Sequence, residues 1–328
     1  MGQFSEIPII DLSALWSEDE QALDCLAHEF YKAYSETGFG YILNHGVPSS
    51  LVEQVFEASK QFHALPLKSK MAVELNEIHR GFIPINTSTD VNSTLAEVKK
   101  PNQSESFMMM REDELRSPGI YLSGPNLWPE LGGFRETVTA YNDRLSELGF
   151  SLMKLVVRAL NTDEQKVLPA FEKPTTWLRL LHYPPTEPTA PEDLYGSAPH
   201  TDFGCLTILA QDDVGGLQVM TSSGQWVDAP VIPGAFVINV GDMLNLWSNG
   251  LLLSTPHRVI NRSGRERYSC PFFFDPHVST VIEPLASCVS QENPSRFAPL
   301  NFGDFLRSEL EAGYDKHKSN EKEGEDYD

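Results

Sequence analysis

The chain has 328 residues, of which 41% are hydrophobic and 22% are charged, a composition typical of a globular protein with a sizeable core. Its formal net charge of -21 argues against nucleic acid or an anionic membrane as a partner, because both attract Lys and Arg. An anionic ligand would need a local cation inside the protein to overcome this average field.

The first 165 residues are predicted to form a helix-rich region that also contains short strands. In the helical segments apolar residues recur every three or four positions, whereas the strand candidates are short apolar runs closed by turn residues. Residues 83–106 are polar, and a loop of this length is often a lid or a binding loop. Strands are predicted at 7–12 and 38–43, and helices at 19–35, 49–62 and 134–160.

Residues 166–285 change to a β-rich pattern, in which short apolar runs are separated by Gly, Pro, Asn and Asp. This pattern predicts an all-β barrel or double sheet, so the expected fold class is mainly β with flanking α. Residues 286–328 are predicted to hold a C-terminal helix and an acidic, solvated tail, and all three regions are expected to form one cooperative unit. Strands are predicted at 177–182, 206–210, 216–220, 235–240, 257–261 and 267–274.

The cysteine pattern and the apolar segments bear on the location of the protein. The four cysteines show no CxxC pairing, which favours a reducing compartment and free thiols; they are Cys25, Cys205, Cys270 and Cys288. The N-terminus has no basic segment followed by an apolar run, and no apolar stretch reaches about 18 residues. We therefore predict a cytoplasmic protein that contacts neither membrane nor nucleic acid and that is a monomer or a weak homodimer.

Three side chains form a candidate metal site, which we call the triad: His200, Asp202 and His257. On an extended segment residues i and i+2 point to the same side, so His200 and Asp202 can contact one ion while His257 reaches it from another strand. Two imidazoles and one carboxylate on one face of an octahedral metal suit Fe(II) oxygenases, because three positions stay open for a bidentate cosubstrate and O2. The HxD pair alone is weak evidence, since a structural His–Asp hydrogen bond explains it as well.

Arg267 and Ser269 form a second pattern ten residues beyond His257. They share one face of a predicted strand, and an Arg beside a hydroxyl is suited to binding a carboxylate deep in a barrel. This pair also supplies the local cation that an anionic ligand would need. For Arg267 alone, a surface salt bridge is an equally good interpretation.

Nine segments in register over almost the whole chain resemble the isopenicillin N synthase-like family of 2-oxoglutarate/Fe(II)-dependent dioxygenases. The resemblance implies a double-stranded β-helix, or jelly roll, with the helix-rich N-terminal part packed outside it. The matching segments, in chain order, are IPIIDLS, GFGYILNHGV, HRGF, LRLLHYP, HTDFGCLTIL, GGLQV, VINVGDMLNLWSNG, STPHRV and RYSCPFFF.

The resemblance also implies roles for individual residues. It assigns the triad to Fe(II) and assigns Arg267 and Ser269 to the distal carboxylate of 2-oxoglutarate, with a further hydroxyl from Tyr183. Leu181 departs from many plant members, which carry Asn there, so we expect the cosubstrate contacts to shift onto Tyr183 and Arg267. The form RLLHYP resembles a microbial branch that includes thymine dioxygenase.

Five residues are candidates for contact with the substrate. Arg179 is expected to face the cavity and to favour a substrate with a carboxylate or a carbonyl group. Phe107 matches a family position where Phe faces the pocket, and Phe273 shares the strand face of Arg267 by alternation. His79 and Arg80 directly precede Gly81-Phe82 in the HRGF segment at the edge of the polar loop, where a structural role in the turn is the alternative.

The expected activity is oxidation of a small organic molecule with Fe(II), 2-oxoglutarate and O2, releasing succinate and CO2; ascorbate is expected to keep the iron reduced. Hydroxylation, desaturation and ring closure all remain open, and the substrate is not predicted. One alternative is an Fe(II) oxidase of the same fold that does not use 2-oxoglutarate. The others are a non-catalytic jelly-roll protein that binds a small molecule and a zinc hydrolase.

Overall fold

The computed structural model describes residues 6–87, 100–113, 117, 119–191 and 193–310. Residues 88–99, half of the polar loop predicted at 83–106, and the acidic tail after residue 310 therefore lie outside the described residues. No helix in the described part of the chain has the length and the apolar content needed to cross a bilayer.

The strands of the described residues form a large sheet, a smaller sheet facing it, and a two-stranded ribbon. The large sheet contains β1 (Ile9–Asp11), β2 (Phe39–Leu43), β3 (Gly81–Ile83), β4 (Glu105–Met110), β5 (Thr175–Tyr183), β7 (Leu206–Gln211), β10 (Phe236–Val240) and β12 (Arg267–Asp275). Its order is β1-β2-β10-β7-β12-β5-β4-β3. The smaller sheet contains β6 (Ser197–His200), β8 (Leu217–Met220), β9 (Trp226–Asp228) and β11 (His257–Val259), and the ribbon contains β13 (Val281–Ile282) and β14 (Leu300–Asn301).

The helices lie mainly in the N-terminal part, and local sequence signals mark the starts of the first three. They are α1 (Glu20–Glu36), α2 (Ser49–His63), α3 (Leu67–Met71), α4 (Phe134–Ala159), α5 (Asp242–Trp247) and α6 (302–310). The side chain of Asp19 accepts hydrogen bonds from the backbone N–H groups of Gln21 and Ala22, which caps α1. Pro48 and Pro66 directly precede α2 and α3, where the missing N–H of proline is not needed.

The two faces of the large sheet have different neighbours. The outer face packs against the helices: Phe272 and Phe274 of β12 are buried there, and Gly149 lets α4 lie close to the ring of Phe274. The inner face turns towards the smaller sheet, where Tyr183 and Val237 belong to the same apolar cluster as Val219 of β8. This arrangement confirms the predicted fold class, a mainly β jelly roll with flanking helices.

The N-terminal part is not a purely helical layer. Its strands β1 to β4 extend both edges of the large sheet, and β4 pairs along most of β5. The predicted helices and core strands are present within a few residues of their expected bounds. Helix α5 was not predicted, because a six-residue helix inside an apolar run shows no periodicity.

Candidate metal centre

The fold brings the three triad residues together. His200 ends β6 and His257 begins β11, and the two residues lie opposite each other in neighbouring antiparallel strands. Asp202 follows on the loop between β6 and β7. One potential ligand atom from each residue lies within 4.8 Å of the other two. The predicted convergence of the HxD pair with a distant histidine is therefore what the structure has.

Backbone carbonyls orient both imidazoles. His200 Nδ1 is 2.7 Å from the carbonyl oxygen of Ala198, and His257 Nδ1 is 3.3 Å from that of Thr255. Because a carbonyl can only accept, each Nδ1 carries the proton and each Nε2 keeps its lone pair. The two Nε2 atoms lie 3.6 Å and 3.7 Å from Asp202 Oδ1, so three potential ligand atoms face one point.

The two carboxylate oxygens of Asp202 have different neighbours. Its Oδ2 accepts hydrogen bonds from the Thr207 hydroxyl and from Asn239 Nδ2, the latter at 2.7 Å, which leaves Oδ1 towards the imidazoles. Asp202 is only 7% exposed. Burial alone would raise its pKa, but His257, His200 and Asn239 together lower the pKa below its usual value. Asp202 is therefore an ionised, oriented carboxylate.

Asp242, at the start of α5, ties together the two segments that carry the triad. Its carboxylate accepts a hydrogen bond from the Thr201 hydroxyl at 3.2 Å and another from the Ser254 hydroxyl. Its backbone N–H donates to the carbonyl oxygen of Asp202 at 2.8 Å. The spacing of the triad is thus fixed by hydrogen bonds as well as by the pairing of β6 with β11.

A buried cation lies deeper on the inner face. Arg267 is 0% exposed, its Nε donates to the carbonyl oxygen of Gly215, and its Nη1 lies 3.3 Å from Ser269 Oγ. The guanidinium stands 4.5 Å from the ring centre of Tyr183, whose hydroxyl is 3.5 Å from Ser269 Oγ. Arg267 Nη2 is buried without a hydrogen-bond partner, and no carboxylate among the described residues pairs with this side chain. A buried, unpaired guanidinium is costly unless a ligand completes it.

These observations test whether the residues fit the groups that the resemblance implies. Two neutral imidazoles and one ionised carboxylate are the donor set that suits Fe(II) with open positions. The unpartnered Nη2 of Arg267, with the hydroxyls of Ser269 and Tyr183, supplies the donors that a carboxylate needs. The residues fit both Fe(II) and 2-oxoglutarate.

On the inner face, residues that lie in register on neighbouring strands form rows, and these rows run from the triad to the buried cation. Phe273 lies between Thr207 and Trp177, in the row whose Thr207 and Asn239 contact Asp202. Two residues further along the strands, Arg179 Nη2 donates to Ser106 Oγ at 3.0 Å. The next row holds Ser269, and the deepest holds Arg267 beside Tyr183. Phe273 therefore lies in the row beside the triad, and Arg179 lies between this row and the buried cation; both residues are on the face predicted for them.

Two predicted substrate contacts are wrong. Phe107 packs on the outer face against Phe62 and Phe134, with ring centres 5.2 Å and 5.1 Å away, because alternation along β4 turns it from the barrel interior. Arg80 is 1% exposed and donates to the carbonyl oxygens of Ile78 and Arg111, so it is a structural residue of the turn. His79 has a positive φ of 55° in the same turn, and its contact with a substrate stays a prediction.

Sequence reasoning missed the residues that orient Asp202. Thr207 and Asn239 each stand in an apolar strand, and a polar side chain at an inward position of such a strand was the available signal. Phe203 was also missed: it follows Asp202 directly and is 40% exposed, which is unusual for a large apolar residue beside a buried site.

Two regions of the chain match models of known protein families. Residues 174–276 match the 2OG-Fe(II) oxygenase superfamily, and residues 7–131 match the N-terminal region described as non-haem dioxygenase in morphine synthesis. The 2-oxoglutarate-Fe(II) type oxidoreductase hxnY of Emericella nidulans is 34% identical, over 96% of this chain and 93% of its own.

Solved structures agree with the fold. Thymine dioxygenase of Neurospora crassa, in complex with α-KG and thymine, superposes with a TM-score of 0.84 at 29% identity, over 95% of this chain and 98% of its own. The JOX2 enzyme, in complex with 2OG, Fe and JA, superposes with a TM-score of 0.77 at 28% identity, over 94% of this chain and 89% of its own.

Proposed function

This chain belongs to the 2OG-Fe(II) oxygenase superfamily, and from that premise we propose that His200 Nε2, Asp202 Oδ1 and His257 Nε2 hold its iron. The protein is a dioxygenase that uses Fe(II), 2-oxoglutarate and O2 to oxidise a small organic molecule, with release of succinate and CO2. The observation that carries the assignment is the convergence of three ligand atoms, the one such group among the described residues. Because 2-oxoglutarate is used, an oxidase without this cosubstrate and a non-catalytic binding protein are set aside.

The iron supplies the oxidising chemistry when it is bound, and the side chains around it supply geometry and charge. Thr207 and Asn239 bind Asp202 Oδ2 and so would leave Oδ1 for Fe(II), and the carbonyls behind His200 and His257 fix the imidazole tautomers. Together these contacts would position His200, Asp202 and His257 to hold Fe(II).

Arg267, Ser269 and Tyr183 are proposed to bind the distal carboxylate of 2-oxoglutarate. The unpartnered Arg267 Nη2 supports this role, because a charge-assisted hydrogen bond to a carboxylate would satisfy it. Burial at the bottom of the inner face excludes water and strengthens that interaction. The same cation explains how a chain with a net charge of -21 attracts a dianionic cosubstrate.

The substrate is proposed to be a small planar molecule with a carbonyl or carboxylate group. Arg179 offers a guanidinium on the inner face, and Phe273 offers a ring beside the row that contacts Asp202. The relative from Neurospora crassa was solved with thymine, which has both features. Exposed Phe203 and the turn at His79 are proposed to form the rim of the pocket.

The surroundings of the enzyme are also proposed. The free cysteines and the negative charge support a cytoplasmic enzyme that binds neither nucleic acid nor membrane, as a monomer or a weak homodimer. Residues 1–165, 166–285 and 286–328 are proposed to be the helix-rich region, the catalytic core and the C-terminal helix with its tail, which unfold together. Pairing of β4 with β5 across the first boundary supports this single unit.

A screen for substrate-stimulated succinate release tests this function. The full chain is incubated with Fe(II), ascorbate and 2-oxoglutarate, together with nucleobases, heteroaromatic acids or aliphatic amines. We expect stimulation by a planar compound with a carbonyl or carboxylate group, and its loss in Arg179→Met while Arg179→Lys keeps part of it. Stimulation only by compounds without such a group, or by the same compounds in Arg179→Met, would overturn the substrate proposal.

A further inference from the structure

Ser269, in the proposed cosubstrate pocket, has a different neighbour on each side of the sheet. On β5 it lies in register with Leu181, and on β7 it lies in register with Gln211. Side chains directly opposite each other in neighbouring antiparallel strands have Cβ atoms about 4.5–5.5 Å apart. Ser269 therefore has an apolar neighbour on one side and a carboxamide on the other.

The side chain of Gln211 points into the barrel. Along β7 the even-numbered residues Ile208 and Ala210 belong to the core against the helices, whereas Leu209 packs in the inner cluster. Thr207, on the same face as Leu209, contacts Asp202. Because alternate residues of a strand share a face, Gln211 lies on the inner face with Ser269.

The carboxamide of Gln211 is unused by the protein itself. Its Oε1 is buried without a hydrogen-bond partner, and no described residue bonds its Nε2. An unsatisfied buried polar atom destabilises the folded protein, so packing alone would favour Leu or Met at this position. Arg267 Nη2 is the other unpartnered atom beside Ser269, which places two unused hydrogen-bonding groups around one hydroxyl.

A bound carboxylate would provide hydrogen-bond partners for Gln211 and Arg267. Two carboxylate oxygens offer about four acceptor sites, and Arg267 Nη2, the Ser269 hydroxyl and the Tyr183 hydroxyl are three groups that can donate to them. A half-turn of the amide exchanges its nitrogen and oxygen, so its nitrogen is free to face a carboxylate. We propose that Gln211 donates the fourth hydrogen bond to the distal carboxylate of 2-oxoglutarate, replacing from β7 the amide that Leu181 lacks on β5. The inference rests on the proposed role of Arg267.

Direct binding of 2-oxoglutarate to the Mn(II)-loaded full chain tests the inference, because Mn(II) accepts the same ligand types. Calorimetry without oxygen should show affinity about ten- to a hundredfold lower in Gln211→Met, which keeps side-chain length and removes a hydrogen bond to a charged group. The thermal midpoint of the apoprotein should stay or rise, because an unsatisfied polar group is removed. Gln218→Met, on β8, is the control outside the proposed pocket: it removes hydrogen bonds to Asp228 and Arg258, so it can lower stability, but it should bind 2-oxoglutarate as the wild type does.

Two further arms locate the contact. Adding Leu181→Asn to Gln211→Met should recover most of the lost affinity, because it supplies an amide from the other neighbour of Ser269. Pyruvate, which has the chelating end of 2-oxoglutarate and no distal carboxylate, should bind equally to wild type and Gln211→Met. Equal losses for pyruvate and 2-oxoglutarate would overturn the inference, as would a lowered midpoint with no recovery in the double variant.

A parallel variant separates this inference from the proposed function. Wild-type affinity in Gln211→Met together with a large loss in Arg267→Met would remove Gln211 from the pocket and leave the pocket itself in place. Unchanged affinity in both variants would overturn the pocket and the inference together.

Discussion

Arg267 and Lys70 are two buried cations on opposite faces of the large sheet, near the same end of β5 and β12. Lys70, from α3, lies 2.7 Å from the carboxylate of Glu105, which also accepts a hydrogen bond from His182 on the outer face. Arg267, on the inner face, contacts a carbonyl and a hydroxyl but no carboxylate of the described residues. The charge of Lys70 is paired with a carboxylate of the protein, whereas the charge of Arg267 has no carboxylate partner among the described residues.

Lys70, Glu105 and His182, which we call the outer cluster, stabilise the packing of the helices on the large sheet. Burial opposes ionisation of Glu105, but hydrogen bonds from His182 and Lys70 hold its pKa at about 2. Lys70 also donates to the backbone of His63 at the end of α2, so the cluster joins two helices to the sheet. Lys70 and Arg267 are both buried, but the paired Lys70 contributes to stability, whereas the unpaired Arg267 is suited to binding a ligand.

The largest effect on the inner side is expected from Asp202→Ala. Loss of the carboxylate removes one of three ligands, so activity should fall to the background rate and Fe(II) should no longer be retained. The outer cluster is untouched, but Thr207 and Asn239 lose their common acceptor, so the thermal midpoint of the apoprotein should fall slightly while the protein stays folded. Retained iron, measured by metal analysis after desalting, would contradict the assignment of the triad.

Arg267→Met should lower the affinity for 2-oxoglutarate by about a thousandfold, within the range of about 2–5 kcal/mol for truncating a buried charge pair. The apoprotein should be as stable as the wild type or more stable, because an unpaired buried cation is removed. Calorimetry and urea unfolding measure the two effects. Wild-type affinity for 2-oxoglutarate would show that this cation does not bind the cosubstrate.

Lys70→Met should give the opposite result. The free energy of unfolding should fall by about 3 kcal/mol, because Glu105 keeps a buried charge without its main partner. The affinity for 2-oxoglutarate should not change. Adding Glu105→Gln to Lys70→Met should recover part of the lost stability. If the losses of unfolding free energy of the two single variants simply add in the double variant, as measured by urea unfolding, Lys70 and Glu105 are not coupled.

Asn239→Ala should have a smaller effect, confined to the metal. The second hydrogen bond to Asp202 Oδ2 is lost while Thr207 remains, and removal of such an outer partner costs about 10–100-fold in metal affinity. A competition titration with a chromophoric chelator measures this change. An unchanged metal affinity would mean that Thr207 alone orients the carboxylate.

The last prediction concerns the dependence of stability on pH at the outer cluster. The pKa of Glu105 is about 2 in the folded protein against an ordinary value of 4.5, so its contribution to stability is present above the ordinary value. That contribution is lost as pH falls from about 4.5 towards about 2. The unfolding free energy of Glu105→Gln should therefore fall less steeply than that of the wild type below about pH 5. Parallel curves would contradict the lowered pKa.

Local patterns predicted much of the molecule. Alternation along one strand placed Arg267, Ser269 and Phe273 on one face, and the HxD spacing with His257 placed three potential ligands together. Phe107 failed because a family position did not reveal which face of β4 it occupies. Alternation within β4 gives two faces, and only its pairing with β5 tells which one is inside.

Contacts between distant strands were beyond the sequence. Asn239 lies far from Asp202 along the chain, and Gln211 lies far from Ser269. The strand order β10-β7-β12 brings Asn239 to Asp202 and Gln211 beside Ser269. The pairing of Lys70 with Glu105 likewise depends on how α3 packs across β4. Such neighbours follow from strand order and helix packing, which no local periodicity determines.

Anaerobic absorption spectroscopy tests the central claim most directly, because it reports Fe(II) and 2-oxoglutarate held together. Adding 2-oxoglutarate to the Fe(II)-loaded wild type should produce a weak visible charge-transfer band. Arg267→Met should need far more 2-oxoglutarate to reach the same band, and Asp202→Ala should show none. A wild type without the band, or a band of equal strength in Asp202→Ala, would contradict the account.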